Sequence, residues 1–140
     1  MEIAVAYKYI VSTLQADSAW VAASTGGVWT GYAPISTPMP YTLIGKQSDQ
    51  DVLTTNVRRI FSDMLLQIKA VGPASNYAAL VTIADRVDAL FGRMNIVTLA
   101  NNAGYILESH REQTVSYPEI VNGQQIENLG GLYRFRVQTS

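Results

Sequence analysis

The sequence contains no cysteine and a single histidine, His110. The absence of cysteine excludes a disulfide scaffold, a thiolate nucleophile and any cysteine-ligated zinc or iron–sulfur site. A single histidine excludes a multi-histidine metal site within one chain. Charged residues make up only 15% of the chain, against roughly 25% in an average soluble domain. A surface so short of charge has to be covered by Ser, Thr, Gln and Asn or by another subunit.

The charge balance and the apolar pattern exclude two further classes of protein. Ten basic and eleven acidic residues give a net charge of −1, which removes the electrostatic basis for a general nucleic-acid binder. The longest apolar runs are far shorter than the ~20 residues that cross a bilayer. The start of the chain, Met1–Glu2–Ile3, lacks the positive region of a secretory signal. We therefore expect a soluble protein made in the cytosol, with no membrane partner.

The length of 140 residues predicts one domain over 1–140, since single cores usually span roughly 100–200 residues. Two amphipathic helices are predicted within it, over 3–16 and about 76–91. Apolar side chains recur at spacings of three and four in both, at Ile3, Tyr7, Ile10 and Leu14, and at Tyr77, Leu80, Val81, Ala84, Val87 and Phe91. Gly92 occupies the position where a left-handed residue would end the second helix.

Strand patterns surround the second helix. Residues 57–70 fit either a strand or a helix, and we favour a strand because Gly72-Pro73 closes the segment. The polar residues 47–51 predict the start of an exposed connection, and Pro118 is expected to break a long alternating run. Strands are predicted over 28–33, 41–46, 105–117 and 132–139. The fold class is therefore α+β, a mainly antiparallel sheet with an N-terminal helix and one central amphipathic helix packed on it.

The sequence contains no strong catalytic or ligand-binding motif. Gly26-Gly27 and Gly130-Gly131 are isolated pairs without the spacing of a nucleotide-binding loop, and no G-x-S-x-G elbow is present. Glu108, His110 and Glu112 would project from one face of a strand, as a conceivable set of one histidine and two carboxylates. We favour the alternative of a solvated face, or of a salt-bridge strip between subunits that faces Arg134 and Arg136.

Several segments together carry a family resemblance: an N-terminal amphipathic helix, a Gly-rich turn, a short aromatic strand and a proline-rich loop. The loop enters PYTLIGKQSDQD; a single helix follows in SNYAALVTIADRVDALFGR; two long strands follow in YILESHREQTVSY and GGLYRFRVQTS. This pattern is similar to the tail terminator, or tail completion, proteins of long-tailed bacteriophages. The resemblance covers most of the chain through short motifs, and 52–72 is its least clear part.

The resemblance implies a structural virion protein of the tail and neck, assembled in the host cytoplasm, with no enzymatic activity and no cofactor. Such proteins form a homo-hexameric ring on the tail tube, stop its polymerisation and join the tail to the head connector or stopper protein. Genome DNA passes through the lumen without specific binding. The alternatives are another neck or tail component, such as a head-closure or tube protein, and, less favoured, a small hydrolase or ligand-binding domain that uses the His110 face.

If a ring forms, charged pairs are expected between its subunits. These pairs would be weak individually, at ~0–1 kcal/mol each, and would weaken further with salt. The residues predicted to form them are Asp49, Asp51, Arg58, Arg59, Glu108, Glu112, Arg134 and Arg136.

Overall fold

Three helices and one sheet of seven strands make up the part of the chain that the computed structural model describes, which is residues 1–53, 59–100 and 103–139. The helices are α1 (Glu2–Gln15), α2 (Ser18–Ala23) and α3 (Tyr77–Phe91). The strands are β1 (Val28–Thr30), β2 (Tyr41–Leu53), β3 (Arg59–Pro73), β4 (Arg93–Met94), β5 (Val97–Thr98), β6 (Gly104–Val121) and β7 (Gln124–Thr139). The predicted α+β class, with an N-terminal and a central helix on a mostly antiparallel sheet, is confirmed.

The sheet has the strand order β1-β2-β3-β7-β6-β4, and β5 also pairs with β6. Every pairing is antiparallel except that of β1 with β2. The ambiguous segment before Gly72 is strand β3, so the strand interpretation is confirmed over the described residues. It pairs with β2 on one side and with β7 on the other. The long strands β2, β3, β7 and β6 are therefore adjacent and form most of the sheet.

All three helices pack on the same face of the sheet. Ile10 and Leu14 of α1 and Val87 and Phe91 of α3 are buried in one apolar cluster with Phe135 of β7. The alternation of the last strand is as predicted, with Tyr133, Phe135 and Val137 buried on the helix side. Apolar burial on this scale is the main stabilising term of such a fold.

Several predicted strand boundaries are wrong: β1 ends at Thr30 and not at 33, β7 begins at Gln124 and not at 132, and β2 and β6 extend further than predicted. Residues 47–51 are not a connection, since β2 continues through them to Leu53 and pairs with β3. Pro118 does not break its strand, because β6 continues to Val121 and Pro118 pairs with Glu127 of β7. A proline is tolerated there because no described strand pairs with the far side of β6 beyond His110, so no ladder donor is needed on that side.

The β6–β7 hairpin closes through a two-residue turn. Val121 pairs with Gln124, and Asn122 and Gly123 between them both have positive φ, at 53° and 76°. Two consecutive positive φ angles define the turn whose twist matches paired strands, and Asn-Gly is its preferred sequence.

The helix α3 ends differently from the prediction. Gly92 has φ −65° in the right-handed region, and the chain passes directly into β4.

A buried polar chain fixes the start of β2 to α2. The Trp20 indole N–H donates to Thr42 Oγ1 at 3.0 Å, and the hydroxyls of Thr42 and Ser24 lie 3.0 Å apart. Ser24 Oγ donates to the carbonyl of Gly27 at 3.0 Å. Because that bond uses the one proton of Ser24, Thr42 must be the donor to Ser24. This series of hydrogen bonds anchors the turn that precedes β1.

The pair of Asp17 and Arg86 links α2 to α3. Asp17 caps α2 by accepting from the backbone N–H of Trp20 at 3.1 Å. Arg86 donates to both oxygens of the same carboxylate at 2.8 and 2.9 Å. These hydrogen bonds from Arg86 lower the pKa of Asp17.

Within the described residues, no helix is long and apolar enough to cross a membrane.

Candidate assembly surfaces

One face of the sheet carries no helix, and we call it the open face. It presents the alternate residues of β3 and β7 that do not point into the core, and these side chains are half-buried: Asp63, Leu65, Gln67, Lys69, Leu132, Arg134, Arg136 and Gln138. The helices leave this surface free because the apolar stripes of α1 and α3 both face the other side. Of the predicted contact residues, Arg134 and Arg136 lie here, and Glu112 and Glu108 of β6 contact them.

Arg134 lies at the centre of a charged cluster on the open face. Its guanidinium donates to Asp63 Oδ1 at 2.6 Å and to both oxygens of Glu112. The hydrogen bonds from Arg134 lower the pKa of Glu112, and those to Glu112 and Asp63 raise the pKa of Arg134. Asp63 was not among the predicted contact residues. The alternation of β3 puts Asp63, with Leu65 and Gln67, on the face opposite the buried side chains, and this alternation is the sequence signal that would have included Asp63.

Arg136 and His110 extend this cluster. Arg136 Nη1 lies 2.9 Å from Glu108 Oε1, and its Nε lies 3.5 Å from Asp63 Oδ2. The two nitrogens of His110 lie 3.8 Å from carboxylate oxygens of Glu108 and Glu112. Both carboxylates are therefore already paired within the chain: Glu112 accepts hydrogen bonds from Arg134, and Glu108 forms an ion pair with Arg136. No cluster of metal-ligating side chains is found among the described residues.

The remaining predicted contact residues are not part of this cluster. Asp49 pairs with Met64 in the sheet, and Asp51 pairs with Ser62, so both acids lie on the helix side. Asp51 accepts from Ser62 Oγ at 2.9 Å, and Asp49 lies 4.0 Å from Lys46 Nζ. Arg58 and the side chain of Arg59 lie outside the described residues.

A second cluster occupies the open face near the β6–β7 turn. Asn128 is fully buried there and donates from Nδ2 to Glu119 Oε1 at 3.0 Å. Lys69 donates to the Tyr117 hydroxyl and lies 4.9 Å from its ring centre. Burial and the nearby charge of Glu119 raise the pKa of Tyr41. These contacts hold the hairpin against β2 and β3.

An exposed apolar loop lies at the β1 edge of the sheet. We call residues 29–39 the apolar loop, which begins at the end of β1 and leads to β2. Its large side chains are exposed: Trp29, Tyr32, Ile35 and Met39, with Ile35 fully exposed and Tyr32 79% exposed. No charged residue occurs between Asp17 and Lys46. That charge-free run with its prolines is the sequence signal for this surface.

A second apolar surface lies at the opposite edge. Strands β4 and β5 pair with β6 only over Tyr105–His110. From 113 to 121, β7 is the one described strand that pairs with β6. We call residues 117–125 the hairpin end. Its exposed apolar side chains are Tyr117, Ile120 and Val121, with Ile120 74% exposed.

The fold can be compared with known proteins. No protein-family model matches the sequence, and no curated protein is similar to it. A chain in the solved structure of the virion of a native gene transfer agent particle is similar in fold, with a TM-score of 0.70. This chain has the fold of a virion component. The match covers 92% of this chain and 91% of the other at 15% identity, so it establishes the fold alone.

Proposed function

We propose that this chain is a structural, non-enzymatic virion protein that closes the tail tube. In this proposal, six copies form a ring on the last ring of the tube, stop its polymerisation and join the tail to the head connector or stopper protein. DNA passes through the ring without specific binding.

One observation carries the proposal: the fold match to a chain of a gene transfer agent virion extends over nine-tenths of both chains. A gene transfer agent is a phage-like particle, and the sequence independently resembles tail terminators of long-tailed phages. The low charge of 15% and the two exposed apolar surfaces agree with a chain whose surface is covered in an assembly. The arginines of the open face are already paired with carboxylates of the same chain, which agrees with a surface that does not bind DNA.

The decisive experiment adds the protein to tail tubes that are still growing from free tube protein. Capping should shorten the tubes as its concentration rises, and gold-labelled protein should appear at one end of each tube by electron microscopy. The protein bound at the end should have the mass of six 15.3 kDa chains, about 92 kDa. A heat-denatured sample serves as the control.

Other outcomes refute the proposal. Incorporation of label along the tube would identify a tube protein, and binding to the connector without any effect on tube length would identify a head-closure protein. An enzyme that uses the His110 face would lose activity in the His110→Ala variant. Tube capping should be unchanged in that variant, because His110 lies among charges that are paired without it.

Charged contacts between copies form a second part of the proposal, through the eight predicted residues. Arg134 and Arg136 would have to share their carboxylates with a neighbouring copy, because both are paired within the chain. Such exposed pairs are worth ~0–1 kcal/mol each and weaken with salt. Sedimentation in rising salt tests this: a ring held by them would dissociate in 1 M salt, where the Debye length is about 3 Å, and survival would contradict it.

A further inference from the structure

His110 is the single histidine of the chain, and it lies half-exposed on the open face between two carboxylates. Its Nδ1 lies 3.8 Å from Glu108 Oε1, and its Nε2 lies 3.8 Å from Glu112 Oε1. A neutral imidazole carries one N–H and can donate to only one of these oxygens, whereas an imidazolium can donate to both. Only the charged form of the ring can therefore use both contacts.

Arg93 provides an unpaired cation beside this ring. It pairs with His110 across β4 and β6, and directly opposite residues of an antiparallel pair lie on one face with their Cβ atoms about 4.5–5.5 Å apart. Arg93 is exposed, and among the described residues no carboxylate forms an ion pair with it. Arg134 and Arg136, in contrast, are already paired. The guanidinium of Arg93 is therefore free to bind an anion.

The charges around His110 balance when its ring is neutral. The hydrogen bonds from Arg134 lower the pKa of Glu112 most, and the charge of His110 lowers it further, so the ring and this carboxylate interact electrostatically. Protonation of the ring gives the cluster a net positive charge. The other charged members of the cluster, three carboxylates and three guanidinium groups, are Asp63 of β3, Arg93 of β4, Glu108 and Glu112 of β6, and Arg134 and Arg136 of β7.

We propose that protonation of His110 completes, with Arg93, a binding site for phosphate oxyanions. At neutral pH the carboxylates of Glu108 and Glu112 repel an anion that approaches Arg93. The imidazolium counters this repulsion and adds a positive charge beside a guanidinium that can bind phosphate through two hydrogen bonds. Phosphate contacts carry no sequence information, so DNA would bind there without base specificity. The inference does not depend on the ring or on tube capping.

The pH dependence of DNA binding tests the site, because histidine ordinarily changes charge between about pH 5 and 8 and the chain has only one. Fluorescence anisotropy of a labelled duplex is measured at about pH 5.5 and about pH 7.5, on either side of that change. The ionic strength is about 0.01 M, where charges are little screened. The wild type should bind about fivefold more tightly at the lower pH, which is the effect of one charge about 4 Å from the anion in water.

Three variants separate the two members of the site. His110→Gln should lose the difference between the two pH values, and His110→Lys should bind tightly at both. Arg93→Gln should bind weakly at both. Lys8→Gln is the matched control, because it removes one exposed positive charge from α1, on the other side of the sheet, and it should keep the dependence on pH. Circular dichroism should show unchanged folding, since neither His110 nor Arg93 is buried.

Sulfate distinguishes a free oxyanion from DNA, because its charge is constant over this pH range. Its binding is followed through the ring signals of His110 in proton NMR spectra. A response to sulfate without tighter DNA binding in acid would support the site and assign it to free oxyanions.

Two results would overturn the inference. One is a pH dependence that persists in His110→Gln, since the α-amino group would then be the group that titrates. The other is equal DNA affinity at both pH values together with no response of the His110 signals to sulfate. A protein that caps tubes but fails these tests would refute only the oxyanion site, and a protein that passes them without capping tubes would refute only the terminator function.

Discussion

Thr42 is a sensitive test of the buried hydrogen bonds that anchor the turn before β1. The Thr42→Val variant keeps the shape of the side chain but leaves the Trp20 indole N–H buried without an acceptor. A stranded donor costs ~1–3 kcal/mol, so we expect a loss of about 2 kcal/mol in the free energy of unfolding. The Thr42→Ser variant keeps the hydroxyl and loses one methyl group, which costs about 1 kcal/mol.

Urea denaturation followed by tryptophan fluorescence measures both variants. The test of the mechanism is a double-mutant cycle with Trp20→Phe, which removes the N–H that Thr42→Val would strand. In that background the cost of Thr42→Val should fall by about 1 kcal/mol. If the cost is the same in both backgrounds, or if Thr42→Val is no more destabilising than Thr42→Ser, the hydrogen-bond chain does not stabilise the protein as described.

Three further predictions concern the sheet. Arg134→Met should cost about 1 kcal/mol at neutral pH. Arg134 lowers the pKa of Glu112, so this stabilisation is present above the ordinary glutamate pKa and is lost as pH falls through the lowered value. The urea midpoints of the variant and the wild type should therefore converge in acid. A constant gap between them would count against the pair of Arg134 and Glu112. Gly130→Ala would place Cβ against the carbonyl oxygen of Ile68 in β3 and should cost ~1–3 kcal/mol in the free energy of unfolding. Gly45→Ala would meet only the end of the Gln47 side chain, 4.0 Å away, and should be neutral. Equal urea midpoints for the two variants would contradict this. Gly123→Ala forces a side chain onto φ 76° and should cost ~1–2 kcal/mol, measured by thermal unfolding, and an unchanged melting temperature would argue against the turn.

The helices and the last strand could be predicted because each has one apolar face. Phe91 and Leu14 recur at helical spacing and are buried as expected, and Phe135 alternates with arginines. Residues 47–51 could not be recognised as strand, because they have no apolar face and extend only through pairing with β3. Pro118 misled for a related reason, since its effect depends on whether the strand has a free edge. The Asn122-Gly123 pair, a hairpin signal, lies beyond the predicted end of the strand at 117 and was not part of the prediction.

The candidate surfaces were predictable only in part. Alternation placed Arg134 and Arg136 on one face, but spacing cannot tell whether Glu112 belongs to the same chain or to a neighbour. The structure pairs them within the chain. Asp49 was assigned to the same contacts, but the irregular register between Lys46 and Ser48 and the pairing with Met64 place it on the other face. A bulge of this kind has no reliable sequence signature.

The pairing of charges on the open face has a mechanical consequence. A phosphate that approaches Arg134 or Arg136 competes with carboxylate oxygens that already lie 2.6–2.9 Å from the guanidinium nitrogens. The exchange replaces one charge-assisted bond with another of similar strength, so a polyanion gains little by stopping there. If this face lines the lumen of the proposed ring, a polyanion that passes along it gains little free energy by binding at these arginines.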